Sequence, residues 1–270
     1  MSVDVAVIPC AGAGTRMRPA TRIVPKPLIP VIDRPVIQYV VEEAVEAGIT
    51  EIVLVVDERP GDPVISHFIA GEPIPGLESV TFTRVVQEAP RGLGDAVLCA
   101  RHTVGDRPFL CMLSDMFPRP RRSYTPRLVS AFDGRTVLAV QEMPDEYLTR
   151  WGFVATAGER LDGIVEVVGA VEKPGADAPS NLGLPGRYIF TPKIFDLLAA
   201  QEPGHGGEIQ LTDAINTLAT RDGALGVIVG DDLFDTGIPA GLLEATAAVG
   251  LARPDLAEQF RRALKRMLEQ

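Results

Sequence analysis

The sequence predicts an α/β protein with a Rossmann-like open mixed sheet, helices on both faces and a small antiparallel β appendage. Short apolar runs alternate with helical runs through the first half of the chain, and this alternation is typical of parallel strands joined by helical crossovers. Several short β-like runs with little helix between them fill the middle of the chain. The 270 residues include 26 glycines and 23 prolines. Together these make up about 18% of the chain, against a usual share of ~12%, which favours many tight loops over a helical bundle.

The first half of the chain opens with an apolar strand over residues 3–9, which leads into a glycine-rich loop. Pro35 opens the next helix at its favoured first position, and Gly48 supplies the C-terminal stop. A strand over residues 51–56 completes a right-handed strand–helix–strand unit. The other elements predicted for this half are strands at 80–86, 109–113 and 137–140 and helices at 93–101 and 125–131.

The second half of the chain begins with short β-like runs that have little helix between them. The β-like runs that make up the predicted appendage lie at 152–156, 164–168, 169–172 and 187–190. The elements predicted after them are helices at 192–200, 209–220 and 240–250 and a strand at 226–229. The tail carries an apolar stripe on a charged helix, formed by Leu256, Phe260, Leu264, Met267 and Leu268. Such a stripe is typical of a docking helix and would suit a subunit interface, so we expect a homo-oligomer.

Composition narrows the class of function. The formal net charge is −10 and the pI is near 4.9, whereas nucleic-acid-binding domains usually carry a basic excess, so we expect no nucleic-acid partner. The N-terminus lacks a basic signal region and no apolar run approaches the ~20 residues of a membrane span, so we expect no membrane partner and a cytoplasmic location. Cys10, Cys99 and Cys111 are odd in number and lack metal-ligand spacing, which predicts buried thiols in a reducing compartment.

The loop after the first strand, residues 11–18, is a candidate phosphate site. Its main-chain amides can face phosphate oxygens. The candidate amides are those of Ala11, Gly12 and Gly14. Arg16 offers a bidentate phosphate contact, and Lys26 is a second cation. Met17 occupies the third glycine position of a dinucleotide fingerprint and no Walker lysine follows, so the residues alone also allow a plain tight turn with two surface cations.

Further candidates stand at the predicted ends of later strands, where the ligands of open α/β sheets bind. Gln87 and Gly92 lie between a strand and a helix, and the Gln87 amide can read the edge of a nucleobase. Asp115 and Asp235 are lone acids at strand exits, where magnesium is often held for phosphate chemistry, although a single Asp there is usually a helix cap. The charged pair at a strand end in the second half is Glu172 and Lys173.

Taken together, residues 11–17 and the segment Pro25-Lys26-Pro27 resemble the signature of the sugar-1-phosphate nucleotidyltransferases. Within that family, the motifs most resemble the branch of bacterial UTP–glucose-1-phosphate uridylyltransferases. The similarity runs from about residue 3 to residue 251. The segments that carry it are 37–43, 47–55, 92–94, 171–174, 180–182, 186–188 and 208–215.

The chain departs from this branch in several places. Residues 67–86 are shorter than the helical insertion that is typical there, and proline follows Lys26 where glutamate is usual. Arg18 replaces a usual leucine, and Ser114 stands where proline is common. These departures leave the phosphate chemistry untouched and bear on the sugar, the assembly and the base.

The resemblance implies that a nucleoside triphosphate reacts with a sugar 1-phosphate to give a nucleotide sugar and pyrophosphate, with Mg²⁺ as cofactor. UTP and glucose 1-phosphate are the expected pair. By the same resemblance, Asp115 and Asp235 bind Mg²⁺, Arg16 and Lys26 meet the triphosphate, and Lys173 meets the sugar phosphate. The implied nucleotide contacts are Gln87 and the backbone at Ala11, Gly12, Gly14 and Gly92, and the implied sugar contacts are Gly152, Glu172 and Asn181.

The resemblance also implies one nucleotidyltransferase domain. Its expected parts are a nucleotide-binding half at 1–140, a sugar-binding half at 141–250 and a C-terminal helix at 251–270. Other branches stay open, such as a thymidylyl or cyclitol-phosphate enzyme. A non-catalytic nucleotide-sugar sensor is an alternative of another class, against which the intact acids and lysines argue. A glycosyltransferase usually needs an Asp-x-Asp pair, which residues 113–117 lack.

Overall fold

The computed structural model describes residues 2–12, 14–120, 122–230 and 233–269, so Ala13 of the first glycine-rich loop lies outside it. The strands in this part of the chain are β1 (Val5–Pro9), β2 (Pro30–Val31), β3 (Arg34–Pro35), β4 (Glu51–Val56), β5 (Thr81–Val86), β6 (Phe109–Met112), β7 (Met116–Pro118), β8 (Thr136–Glu142), β9 (Gly152–Leu161), β10 (Ile164–Glu172), β11 (Leu182–Gly183), β12 (Arg187–Phe190), β13 (Ala224–Val229) and β14 (Leu233–Asp235). The helices are α1 (Val36–Glu46), α2 (Pro63–Ile69), α3 (Leu93–Cys99), α4 (Arg101–Val104), α5 (Thr125–Ala131), α6 (Lys193–Ala200), α7 (Leu211–Asp222), α8 (Pro239–Ala252) and α9 (Ala257–Leu268).

A ten-stranded mixed sheet forms the centre of the molecule, with the order β11-β9-β10-β13-β8-β12-β6-β1-β4-β5. The block β6-β1-β4-β5 is parallel, and β8 is parallel to β13. Strand β12 runs antiparallel to both of its neighbours, and β9 and β10 extend the far end of the sheet in antiparallel fashion. The predicted fold class, an open mixed α/β sheet, is confirmed.

The predicted antiparallel β appendage is present and is continuous with this sheet, because β9 and β10 extend it at one end. Strand β12 lies in its centre, between β6 and β8, because all four of its residues are buried and an edge position would expose them. The two runs predicted at 164–168 and 169–172 are one strand, β10, with a register shift against β9 between Val167 and Gly169. Two small two-stranded sheets, β2–β3 and β7–β14, stand apart from the main sheet.

The sheet is covered on both faces, as its alternating side chains require. Ala6 and Ile8 of β1 point into one hydrophobic core, which α1 covers, whereas Val5 and Val7 point into the other, which α3, α6 and α7 cover. Helix α1 begins one residue after Pro35, which takes the N-cap position where the sequence predicted the first helical position. The short elements α2, β2, β3, β7, β11 and β14 were not predicted, because two to seven residues are too few to show a clear period.

The C-terminal stripe is only partly covered. Leu256, Phe260 and Leu264 are half-buried, and the Phe260 ring packs on Gly250 of α8. Met267 and Leu268 are 63% and 86% exposed. The first part of the stripe therefore docks on α8, and its end faces solvent.

The cysteines follow the expectation in part. Cys10 and Cys111 are buried free thiols, whereas Cys99 is half-buried. Burial raises the pKa of the Cys111 thiol to about 12, so this group is protonated at neutral pH. None of the helices in the described ranges is both long and apolar enough to span a membrane.

Candidate active site

A cavity of about 560 Å³ opens beyond the carboxyl ends of the parallel strands β1, β5 and β6. It is lined by the loops that follow these strands, as expected for an open α/β sheet. The predicted site residues that the structure brings together here are Ala11, Gly12, Gly14, Arg16, Lys26, Gln87, Gly92 and Asp115.

A second cavity of about 140 Å³ adjoins the first. The predicted site residues that line it are Arg16, Asp115, Gly152, Glu172 and Asp235. Because Arg16 and Asp115 line both cavities, they stand at the junction of one divided cleft. Such a cleft can hold two ligands with their reacting ends against the same pair of side chains.

The strand pair β7–β14 brings together the two lone acids, which lie far apart in the sequence. Asp235 is the last residue of β14 and pairs with Met116, the neighbour of Asp115. Thr236 secures the contact, since its amide and its hydroxyl both donate to the Asp115 carbonyl, at 2.9 and 2.6 Å. A side chain at Gly237 would collide with both carboxylates, at 2.6 Å from Asp115 Oδ2 and 2.8 Å from Asp235 Oδ1. The two carboxylates therefore converge on one small space.

Basic side chains surround the two carboxylates. Lys26 forms an ion pair with Asp115, and Arg150 Nη2 donates to Asp235 Oδ2 at 2.9 Å. Burial raises the pKa of Asp235, the charge of Asp115 raises it further, and Arg16 opposes the shift. No group of three or more His, Cys, Asp or Glu suited to a metal occurs among the described residues. Two carboxylates still fit a hard divalent cation whose other ligands are phosphate oxygens and water.

The wall of the larger cavity is held by main-chain contacts to the segment before α7. Ile209 N donates to Arg91 O and Gly94 N donates to Ile209 O, both at 2.8 Å. Gly92 has a φ of 113°, and a Cβ there would lie 2.7 Å from Ile209 O. Only glycine allows this close approach, because L-residues rarely adopt such a φ and the neighbour is backbone. The loop between β5 and α3 is therefore fixed at the cavity wall.

The second cavity takes its shape from the register of β9 and β10. Glu172 pairs with Gly152 in this register, and Glu172 Oε2 accepts a hydrogen bond of 2.7 Å from Thr212 Oγ1. The next residue, Lys173, has a left-handed backbone with a φ of 46°, and its amide donates to Trp151 O at 3.1 Å. Its ammonium lies 3.3 Å from Glu172 Oε1. A left-handed lysine is strained and persists only where its surroundings hold it, often at a functional site.

One predicted sugar contact lies elsewhere. Asn181 is exposed and lines a separate shallow cavity beside Ser180 and Gly175. The structure therefore does not bring Asn181 together with Glu172 and Gly152.

Comparison with known proteins supplies the family. Residues 5–250 match the sequence model described as "Nucleotidyl transferase". The chain belongs to this nucleotidyl transferase family. It is 35% identical to a UTP–glucose-1-phosphate uridylyltransferase of Streptococcus pyogenes, over 96% of this chain and 92% of that protein. The resemblance drawn from the motifs is thereby confirmed.

Solved structures of similar proteins agree with this assignment. A crystal structure of UDP-glucose pyrophosphorylase complexed with UDP-glucose superposes with a TM-score of 0.87 at 31% identity, over 93% of this chain and all of that one. A UTP-bound UDP-glucose pyrophosphorylase (UGPase) from Acinetobacter baumannii gives a TM-score of 0.82 at 34% identity, over 97% of this chain and 98% of that one.

Two features of this nucleotidyl transferase's site went unpredicted. Arg150 lines the smaller cavity and holds Asp235. Arg187 is fully buried, pairs with Glu43 at 2.8 Å, and donates to the carbonyls of Leu113 and Met116 on either side of Asp115. The only sequence signal for Arg187 was its position as a charged residue at the start of the otherwise apolar run 187–190. Arg150, just before a predicted strand, gave no comparable signal.

Proposed function

We propose that this chain is a UTP–glucose-1-phosphate uridylyltransferase, which makes UDP-glucose and pyrophosphate. The observation that carries the proposal is the divided cleft with Arg16 and Asp115 at its junction and Asp235 beside them. A triphosphate in the larger cavity and a sugar phosphate in the smaller one would meet at these side chains. The names of the similar proteins, with UTP and UDP-glucose bound in solved structures, support this choice of substrates.

The reaction needs positioning and charge neutralisation more than proton transfer. A phosphate oxygen of glucose 1-phosphate attacks the α-phosphorus of UTP, and the bond from that phosphorus to the leaving pyrophosphate breaks. The nucleophile is already an anion, so no general base is required. The protein must offset the repulsion of two anions and align them. Arg16 at the junction and Lys26 at the triphosphate side supply the positive charge.

Asp115 and Asp235 are the residues that would hold Mg²⁺, with phosphate oxygens completing its shell. When bound, the ion neutralises phosphate charge near the reacting phosphorus. Lys26 and Arg150, which pair with these carboxylates, lie within reach of the same phosphates. On the sugar side Glu172 accepts hydrogen bonds from the sugar hydroxyls, and Gly152 forms the wall beside it.

Several features stay predictions. These are the role of Asn181, the division into halves at residue 140, the cytoplasmic location and the homo-oligomer. The exposed Met267 and Leu268 at the end of α9 support a contact between subunits.

The test is pyrophosphate release with Mg²⁺ across a grid of UTP, dTTP, CTP, ATP and GTP against several sugar 1-phosphates. We expect the highest kcat/KM for UTP with glucose 1-phosphate, and dTTP about tenfold lower, the scale of one methyl or hydroxyl contact. A higher value for dTTP or ATP would place the chain in another branch. Tight UDP-glucose binding without turnover of any pair would identify a sensor and contradict the proposal.

Lys173→Ala is expected to raise the KM for glucose 1-phosphate about tenfold or more, because an ammonium–phosphate contact is charge-assisted. Lys173 lines neither cavity, but its ammonium lies 3.3 Å from Glu172, which lines the smaller one. UTP affinity, measured by calorimetry without sugar phosphate, should therefore stay within about twofold. Lys193→Ala is the matched control, because that lysine is exposed and pairs with Asp222 away from the cleft. Loss of UTP binding in Lys173→Ala would assign this lysine to the triphosphate instead.

A further inference from the structure

The Gln87 side chain on the wall of the larger cavity has a fixed orientation. It is buried, and its amide nitrogen donates to Gly92 O at 3.1 Å and to Asp95 Oδ2 at 2.7 Å. An ionised carboxylate and a carbonyl only accept hydrogen bonds, so both must face the NH₂ group and not the amide oxygen. Both amide hydrogens are thus used, and no donor among the described residues reaches Gln87 Oε1.

Asp95 is itself held in place. It is buried in the first turn of α3, where the helix dipole favours a negative charge. Arg91 forms an ion pair with its other oxygen, with Nε at 3.0 Å and Nη2 at 2.8 Å from Asp95 Oδ1. Asp95 does not line the cavity, so it acts on a ligand only through Gln87.

We infer that Asp95 is a positioning residue for base selection, which fixes Gln87 as a hydrogen-bond acceptor toward the base. This inference rests on the proposed function, since it concerns the base of the triphosphate bound in that cavity. An acceptor at this point pairs with the N3–H of uracil. It opposes N3 of cytosine, which is also an acceptor. Without Asp95 only the longer hydrogen bond to the Gly92 carbonyl holds the NH₂ group, so the amide turns more easily and uracil loses part of its advantage over cytosine.

Asp95→Asn tests the device with almost no change of shape. Arg91 donates to the oxygen of the introduced amide, which turns the NH₂ group of that amide toward Gln87. Gln87 is then drawn to turn its oxygen toward this NH₂ group and its own NH₂ group toward the base, at the cost of its hydrogen bond to the Gly92 carbonyl. We expect the ratio of kcat/KM for UTP over CTP to fall about tenfold or more, from lower values with UTP and higher values with CTP. The change should appear in KM, and in the nucleotide Kd without sugar phosphate, while kcat at saturating UTP stays within about threefold.

Glu88→Gln is the matched control, because Glu88 is an exposed carboxylate in the same loop and loses the same charge. It should leave the UTP-to-CTP ratio within about twofold of the wild type. Gln87→Met provides a second route if Asp95→Asn does not fold, since it removes the amide and leaves Asp95 paired with Arg91. The ratio should fall there too, and the double variant should lose no more than Gln87→Met alone.

An unchanged UTP-to-CTP ratio in an active Asp95→Asn protein would overturn the inference and leave the proposed function standing. An unchanged ratio in Gln87→Met would overturn it as well. Failure of the proposed function shows itself separately in the wild type, which would then release no pyrophosphate from any pair in the grid or would prefer dTTP or ATP over UTP.

Discussion

Replacing Asp115 or Asp235 by Asn is expected to lower kcat at least ~10²-fold, the scale for losing one key electrostatic contact to a transition state. The two carboxylates converge beside Gly237 at the junction of the cleft, so each contributes half of the proposed cation site. Asn keeps the shape and one oxygen but removes the charge. The measurement is steady-state pyrophosphate release at rising Mg²⁺, in which each variant should also need more metal for half-maximal rate.

Folding should survive these substitutions. For Asp235→Asn, burial and the neighbouring charge of Asp115 raise the pKa of the carboxyl, so we expect its neutralisation to cost little folding free energy. Asp222→Asn is the control, since that carboxylate is exposed and pairs with Lys193 far from the cleft. Near-wild-type turnover by Asp115→Asn or Asp235→Asn at ordinary Mg²⁺ would show that the metal site is wrongly assigned.

The ends of the strands that border the site could be predicted from the sequence, because each of these strands is a short apolar run with a recognisable end. The run before Ala11 and the run before Asp115 are apolar and short, and a glycine-rich loop follows the first and Ser114 the second. Such signals locate a strand but not its neighbours in the sheet. The position of β12 between β6 and β8 depends on pairing between distant segments, which no local period encodes.

The same limit applies to the site. Asp115 and Asp235 were found as single acids after strands, yet their meeting depends on β7 and β14, which have three residues each. Asp95 and Arg150 act through partners that no motif reveals. Asn181 shows the converse, because a motif shared with a family names the residue without fixing where its loop places the side chain.

Arg187→Met is expected to destabilise the protein by about 3–5 kcal/mol, the cost of breaking a buried ion pair from one side. It leaves the Glu43 carboxylate buried with Thr125 as its remaining side-chain donor among the described residues, and it removes the donors to the Leu113 and Met116 carbonyls. Urea unfolding at equilibrium measures this loss. Glu43→Gln should cost less than Arg187→Met, because the amide oxygen can still accept from the guanidinium.

The double variant Arg187→Met/Glu43→Leu separates stability from positioning. Replacing both partners of a buried pair by apolar groups is often neutral or stabilising, so we expect most of the lost unfolding free energy to return. The hydrogen bonds to the carbonyls of residues 113 and 116, on either side of Asp115, are not restored, because neither Met nor Leu has a donor for them. If Arg187 holds Asp115 in place, kcat stays about tenfold or more below the wild type while the UTP Kd changes little. Full recovery of kcat along with stability would assign the pair to folding alone and remove Arg187 from the active site.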